Sequence, residues 1–285
     1  MDQRTDMHSL VMAANGMLPM PVYDELFKQA SEAPGANFVE VGTAHGAATI
    51  ALALGAATHP TPAKIWTIDK LGGKFSSRSK YGSAGENRRI VLENFCRAGV
   101  EKMIELFVGS PDEFVVAPLC PERIDLLLLD ADGRIDRDLI YFYSRMRASD
   151  PIIIDDVDAE IFLGRNYEGI PYIDLKHRIT SQLLAAYEAA GFIRVVKRLE
   201  NTAFCQRGER EYDKSALSQI ALECYRELVF ADTRDEFWQE LASWSENALD
   251  VRAALRMRAA IPYSVRKVAG RIVRLWKAMV APVQY

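Results

Sequence analysis

No uncharged apolar run in these 285 residues approaches the roughly 18–20 needed to span a bilayer. The opening stretch, MDQRTDMHSLVMAANGMLPMP, sets acids before a short apolar segment, unlike the basic start and apolar centre of a secretory signal. Cysteine is scarce and scattered: Cys96, Cys120, Cys205 and Cys224 include no C-x-x-C pair. That excludes the spacing of a zinc site or a disulfide framework, and the four read as reduced thiols. The chain also lacks an excess of positive charge, its net charge being −4, so nothing global calls for a nucleic-acid partner. These absences together lead to the expectation of a cytoplasmic protein. There is no internal repeat and no low-complexity segment.

What is present is ordinary for a globular chain, with 49% apolar and 26% charged residues. The length suits one catalytic domain and an extension. Strand-like runs alternate with helical patterns as far as about residue 210, the pattern of a wound α/β sheet. The expected strands are NFVEV (37–41), KIWTID (64–69), MIELFVG (103–109), IDLLLLD (124–130) and PIIIDD (151–156). Helices are expected near 45–57, 84–98, 111–117, 136–147 and 173–190. Strands that are apolar throughout, without alternation, are what a parallel sheet covered on both faces requires. The segment GFIRVVKRLENTAFCQR reads as two strands joined by a tight turn at Glu200 and Asn201, which demands antiparallel pairing. The expected architecture is a Rossmann-like doubly wound α/β sheet, mostly parallel, with an antiparallel C-terminal hairpin strand. Residues 1–34 read as an N-terminal helical segment, 35–210 as the catalytic domain and 211–285 as a helical extension.

The first strand closes on Val39-Glu40-Val41-Gly42-Thr43-Ala44-His45-Gly46 and opens a helix. Glycines at 42 and 46 allow a sharp turn and a close backbone approach at the helix start. Their spacing, G-x-x-x-G, is not the dinucleotide fingerprint G-x-G-x-x-G. Glu40, two residues before Gly42, would repel a pyrophosphate but suits a cationic ligand. Asp69 ends the second strand, where a carboxylate can accept hydrogen bonds from ribose hydroxyls. Gly109-Ser110-Pro111-Asp112, at the end of the third strand, could border an adenine ring. Asp130 ends the fourth strand and Asp155-Asp156 the fifth, so in an open parallel sheet three carboxylates converge on one crevice. A hard divalent cation would relieve their repulsion; helix caps and a solvated acid are the alternative reading.

The order E-V-G-T-A-H-G, T-I-D, G-S-P-D, L-L-L-L-D-A-D-G, I-I-I-D-D resembles class I S-adenosylmethionine-dependent methyltransferases. It is most similar to the metal-dependent O-methyltransferases of the catechol, caffeoyl-CoA and macrocin sugar types, over roughly residues 35–207. The resemblance implies cofactor contacts from Glu40, Gly42, Thr43, His45, Gly46, Asp69, Ser110 and Asp130. It also implies a divalent metal, Mg²⁺ by expectation, on Asp130, Asp155 and Asp156. Enzymes of this kind often carry Lys or His three residues after the first metal Asp, where this chain has Gly133. A base must then come from elsewhere, the candidates being Asp132, His177 and, as an orienting charge, Arg134, or the metal suffices; Asp130, Asp132 and His177 are the residues expected to be catalytic.

Two vicinal hydroxyls could chelate such a metal, which favours vicinal diols in sugars or catechols; the Asp155-Asp156 pair, the missing Lys after Asp130 and the basic tail put a sugar, glycan or related natural product first. A phenolic, catechol-type acceptor is the alternative, as is a non-catalytic scaffold that keeps the fold, or a nicotinamide dehydrogenase. The glycine- and serine-rich stretch 72–85 reads as a lid or acceptor loop, or as a plain connection. After Asp250 the chain has eight bases and no acid, leaving −12 for residues 1–251. Residues 252–280 read as a basic amphipathic helix, suited to peripheral contact with an anionic membrane at its inner face, or to packing on the chain itself or in a homo-oligomer.

Overall fold

The computed structural model describes residues 3–33, 35–72, 83–158, 162–165, 171–174 and 176–225, all but Tyr225 within a compact unit that ends at Cys224. The basic segment 252–280, the rest of the extension beyond 225 and most of the stretch 72–85 lie outside these residues. The chain begins with two helices, α1 (Gln3–Ala13) and α2 (Met20–Glu32). Then strand and helix alternate: β1 (Asn37–Val41), α3 (Ala47–Ala56), β2 (Lys64–Asp69), α4 (Ala84–Ala98), β3 (Ile104–Val108) and α5 (Pro111–Val115). The alternation continues through β4 (Leu126–Leu129), α6 (Ile135–Phe142) and β5 (Pro151–Ile154). A small pair, β6 (Phe162–Arg165) and β7 (Pro171–Asp174), precedes α7 (Lys176–Ala189). The hairpin β8 (Ile193–Leu199) and β9 (Thr202–Arg207) and a last helix α8 (Lys214–Tyr225) follow.

Seven strands form one sheet in the order β3-β2-β1-β4-β5-β9-β8. β1 pairs in parallel with both β2 and β4, and β9 runs antiparallel between β5 and β8. The strand that breaks the parallel run is thus one place in from the edge, and β8 forms the edge itself. β4 is Leu126–Leu129, four leucines all buried, as a central strand covered on both faces must be. Edge strand β3 is only partly buried. The chain winds outward from β1 to β3 on one side and from β4 to β5 on the other. The switch therefore falls between β1 and β4, where open α/β sheets leave a crevice beyond their carboxyl ends.

One difference from the sequence reading sits just after β5. The helix expected from about 173 starts at Lys176, because 171–174 pair with 162–165 as an antiparallel ribbon. The N-terminal helices are part of the main core: Met7, Val11, Val22 and Leu26 are buried in one cluster with Ile50, Leu52, Phe95 and Leu128. At the other end of the described chain α8 buries Leu217, Ala221 and Cys224, and the Tyr187 hydroxyl donates to the Leu217 carbonyl. No helix among the described residues is long and apolar enough to cross a membrane.

Candidate active site

The strand ends lie in a row, tied by backbone bonds from each exit loop to the strand beside it. Gly109 N–H donates to Asp69, Gly42 to Ile68, Asp130 to Val41 and Asp155 to Leu129, each at 2.9–3.0 Å. Gly42 has φ +103°, and a Cβ there would sit 1.9 Å from the Asp130 carbonyl oxygen. Only glycine lets the loop after β1 lie against the end of β4. A cavity of about 260 Å³ opens at this switch point. Its apolar wall includes Met17, Val41, Ile68, Leu71 and Pro111, and Gly42, Asp69, Asp130, Asp132, Arg137 and Lys176 also line it.

Asp69 is held by the loop that follows β1. Its Oδ2 accepts from Thr43 N–H and Ala44 N–H, both at 2.9 Å, and its Oδ1 accepts from Leu71 N–H at 2.7 Å. The amides that a dinucleotide pyrophosphate would need are therefore given to a carboxylate of the chain itself. This counts against the dehydrogenase reading and leaves Asp69 with lone pairs facing the cavity. Gly42, Asp69 and Asp130 line the cavity, whereas Glu40, Thr43, His45, Gly46 and Ser110 are not part of its wall. Glu40 is fully buried behind the strand, where its Oε2 accepts from the Thr49 and Thr67 hydroxyls. Its Oε1 has no hydrogen-bond partner among the described residues, and burial pushes the carboxyl up to about 7 against the pull of the two hydroxyls. Gly46 caps α3 next to the Phe95 ring, and burial holds the His45 imidazole below its usual range. Ser110 caps α5 in a reciprocal pair with Glu113, so that its neighbours Gly109 and Pro111 form the wall instead.

Three carboxylates converge as the sequence implied. One oxygen each of Asp130, Asp155 and Asp156 can be chosen so that all lie within 4.8 Å of one another. Burial first, and then the Asp155 charge, push Asp130 well above the carboxylate range, while Lys176 pulls the other way. Burial and the neighbouring Asp156 likewise raise Asp155, whose Oδ1 accepts the Thr202 hydroxyl at 2.5 Å. Asp156 has φ +58°, a left-handed conformation that a non-glycine residue adopts at a cost. Three hard oxygen donors with a deficit of positive charge fit a divalent cation of the magnesium type. Lys176, the first residue of α7, places its ammonium against Asp156 Oδ2.

The other candidates for proton transfer are committed elsewhere. The Asp132 carboxylate receives the Arg137 guanidinium at 2.9 and 3.2 Å; burial pushes it up, but Arg137 and the Arg134 amide outweigh that and hold it low. His177 bridges two acids, Nε2 to Asp156 Oδ1 at 3.0 Å and Nδ1 to Asp158 Oδ2 at 2.8 Å, and does not line the cavity. Sequence reasoning missed Met17, Lys70, Arg137 and Lys176 in the wall. The N-terminal loop reaches the cavity only because α1 and α2 pack on α3, which no local signal reveals.

No protein-family model matches the sequence, and no curated protein matches it. Solved structures do. Cofactor-bound Rv0187 from MTB is 19% identical with a TM-score of 0.50, over 74% of this chain and 90% of its own. A protein of Corynebacterium glutamicum is 12% identical with a TM-score of 0.52, over 72% and 91%. The O-methyltransferase TomG from Streptomyces achromogenes, in complex with SAM, is 14% identical with a TM-score of 0.49, over 73% and 90%. Such identities speak to architecture alone: with the strand order and the hairpin ending they show a Rossmann-like, doubly wound sheet, mostly parallel and closed by an antiparallel hairpin.

Proposed function

We propose that the chain transfers a methyl group from S-adenosylmethionine to a hydroxyl of a sugar, glycan or related natural product, with a divalent cation on Asp130, Asp155 and Asp156. The observation that carries this reading is Asp130, which belongs both to the cavity wall and to the carboxylate cluster. One residue thus joins a site for a nucleoside-sized ligand to a site for a cation.

When bound, the sulfonium supplies a methyl group for in-line displacement and the cation supplies Lewis acidity toward an acceptor hydroxyl. The residues of the chain bind and align. Asp69, its other lone pairs fixed by three amides, accepts from ribose hydroxyls. Ile68, Leu71, Met17 and Pro111 give the ligand apolar surface to lie against. The three Asp side chains, on adjacent strand ends, would hold the cation. The Arg137–Asp132 pair forms a polar rim that restrains the loop after β4. The preference for a sugar over a phenol rests on the Asp-Asp pair, on glycine at 133 and on the basic tail.

Calorimetric titration of S-adenosylmethionine and of Mg²⁺ tests the proposal on wild type and on Asp155→Ala with Asp156→Ala. Cofactor binding by both proteins, with cation binding lost only from the double variant, supports it. Cofactor binding without any cation binding removes the metal from the reading. A folded wild type that binds no cofactor overturns it.

A further inference from the structure

The carboxylate cluster already contains a cation of the chain's own. Lys176 lies across Gly133, which has φ +71°, and a Cβ added there would meet Lys176 Cγ at 2.9 Å and Thr180 Oγ1 at 2.8 Å. The bare glycine therefore leaves the slot through which the lysine stem passes to reach Asp156. Burial disfavours its charge, but Asp156, Asp130 and Asp155 outweigh that and hold the ammonium protonated. Its side chain keeps 25% of its exposure, and Lys176 also lines the cavity, so the ammonium has a second place to go.

The helix that carries Lys176 has its charges the wrong way round. The first turn of α7 reads Lys176-His177-Arg178, bases at the helix end where the peptide dipole repels cations. Nothing local in a helix favours that order. The acids facing it explain it: Asp156 takes Lys176 and His177, and Asp158 takes His177. A departure of this kind from local preference is a pointer to a site.

We propose that Lys176 is the resident counter-ion of the Asp130–Asp155–Asp156 cluster, and that a divalent cation enters by displacing its ammonium from Asp156 into the cavity. This rests on the reading of those acids as a metal site. Both cations need Asp156: its Oδ2 is taken by Lys176, and its Oδ1 receives His177 and, at 3.4 Å, Asn201. Two cations on one carboxylate would repel at short range, so occupancy by one excludes the other. The helix dipole already opposes the lysine, which weakens the hold that an entering ion must break. Once displaced, the ammonium is anchored at the start of α7 and faces the cavity, beside the space an acceptor would fill.

The test is direct binding of Mg²⁺, repeated with Mn²⁺, at low ionic strength. Wild type is compared with Lys176→Met, which keeps the stem and removes the charge, and with Lys176→Arg, which keeps the charge. Exchange predicts that Lys176→Met binds the cation roughly tenfold more tightly than wild type, while Lys176→Arg gains nothing. It also predicts that Mg²⁺ increases the reactivity of the wild-type Lys176 amine toward an acylating reagent, read by mass spectrometry of the peptide. If Lys176→Met is poorly folded without metal, added Mg²⁺ should raise its melting temperature more than that of wild type. Equal or weaker binding by a folded Lys176→Met, or an amine unmoved by Mg²⁺, overturns the exchange while the metal site stands. Binding by none of the three proteins overturns both.

Discussion

Glu40, on β1, and Asp155, just after β5, are both withdrawn from water at the same edge of one sheet, but their neighbours differ in kind. Glu40 is surrounded by hydroxyls: Thr49 and Thr67 donate to it, and Thr43 extends the chain through Thr67 at 2.5 Å. Neutral donors cannot balance a charge in a buried place, and the carboxyl accordingly keeps its proton up to about 7. Asp155 has one hydroxyl, from Thr202, and otherwise faces two more carboxylates and the ammonium of Lys176. The first arrangement has no position for a mobile cation; the second is held by charge that can be exchanged. Burial of an acid is thus not in itself a mark of chemistry. What separates the two is whether the partner is a fixed dipole or a replaceable ion.

The widest separation should come from the acids themselves. Asp155→Ala with Asp156→Ala is expected to lower methyl transfer by roughly 10³-fold or more, since alignment and polarisation of the acceptor are lost together. Glu40→Gln should lower it by no more than about tenfold, because Gln can still bond the two threonines. Initial rates with a vicinal diol acceptor would decide it. A Glu40→Gln protein as inactive as the double variant would move Glu40 into the machinery and end the distinction.

Gly42→Ala strikes both regions at once. A Cβ at φ +103° lies 1.9 Å from the Asp130 carbonyl oxygen, so either β1's exit loop or the end of β4 must shift. We expect a loss of about 4 kcal/mol in denaturant unfolding, near the upper end for single substitutions, with cofactor affinity falling alongside.

The two regions also separate with pH. The value of about 7 for folded Glu40 lies above its ordinary 4.5. Below about 4.5 the group is protonated in both states and contributes no slope. Between about 4.5 and 7 the unfolded chain releases a proton that the folded chain retains, so stability falls as pH rises; above 7 the loss is complete. It amounts to about 3 kcal/mol if the whole interval is realised. Asp138 and Asp150, both raised to about 6 by burial, slope the same way. The measurement is therefore the difference between wild type and Glu40→Gln in urea unfolding at pH 5 and pH 8. The gap should move toward the variant at the higher pH, and a gap that does not change with pH would mean Glu40 is charged in the fold.

Much of this was legible from the residues. The five apolar runs that lead to Gly42, Asp69, Gly109, Asp130 and Asp155 are parallel strands, and the signal is plainest in Leu126–Leu129 and Pro151–Ile154, because a strand covered on both faces writes itself as consecutive Leu and Ile. Strand ends in such a sheet must share a crevice, which brought the three aspartates together before any coordinate did. The ribbon of Phe162–Arg165 with Pro171–Asp174 was not legible: four residues on each side give too short a pattern, and Ile173 and Asp174 merge with the periodicity of α7. Gly133 announced the lack of a base three residues after Asp130. That Lys176 would cross the gap, 43 residues later, depends on where α7 docks, and docking is tertiary information.

The smallest expected effect lies where the cavity wall leaves the sheet. Met17 sits between α1 and α2, with 65% of its surface exposed, yet it lines the cavity together with Asp69 and Leu71. Its loop is tied down by neighbours: Leu18 N–H donates to the Tyr23 hydroxyl at 3.2 Å, and Asn15 Nδ2 lies 3.3 Å from His45 Nδ1. Met17→Ala removes apolar contact from a ligand without removing a core residue, so binding and stability should part company. The cofactor's dissociation constant should rise about threefold to tenfold, while unfolding free energy changes by less than about 0.5 kcal/mol. Calorimetry and urea unfolding on the same preparation check both. An unchanged dissociation constant would confine the binding surface to the strand ends, and a matching loss of stability would make Met17 a packing residue.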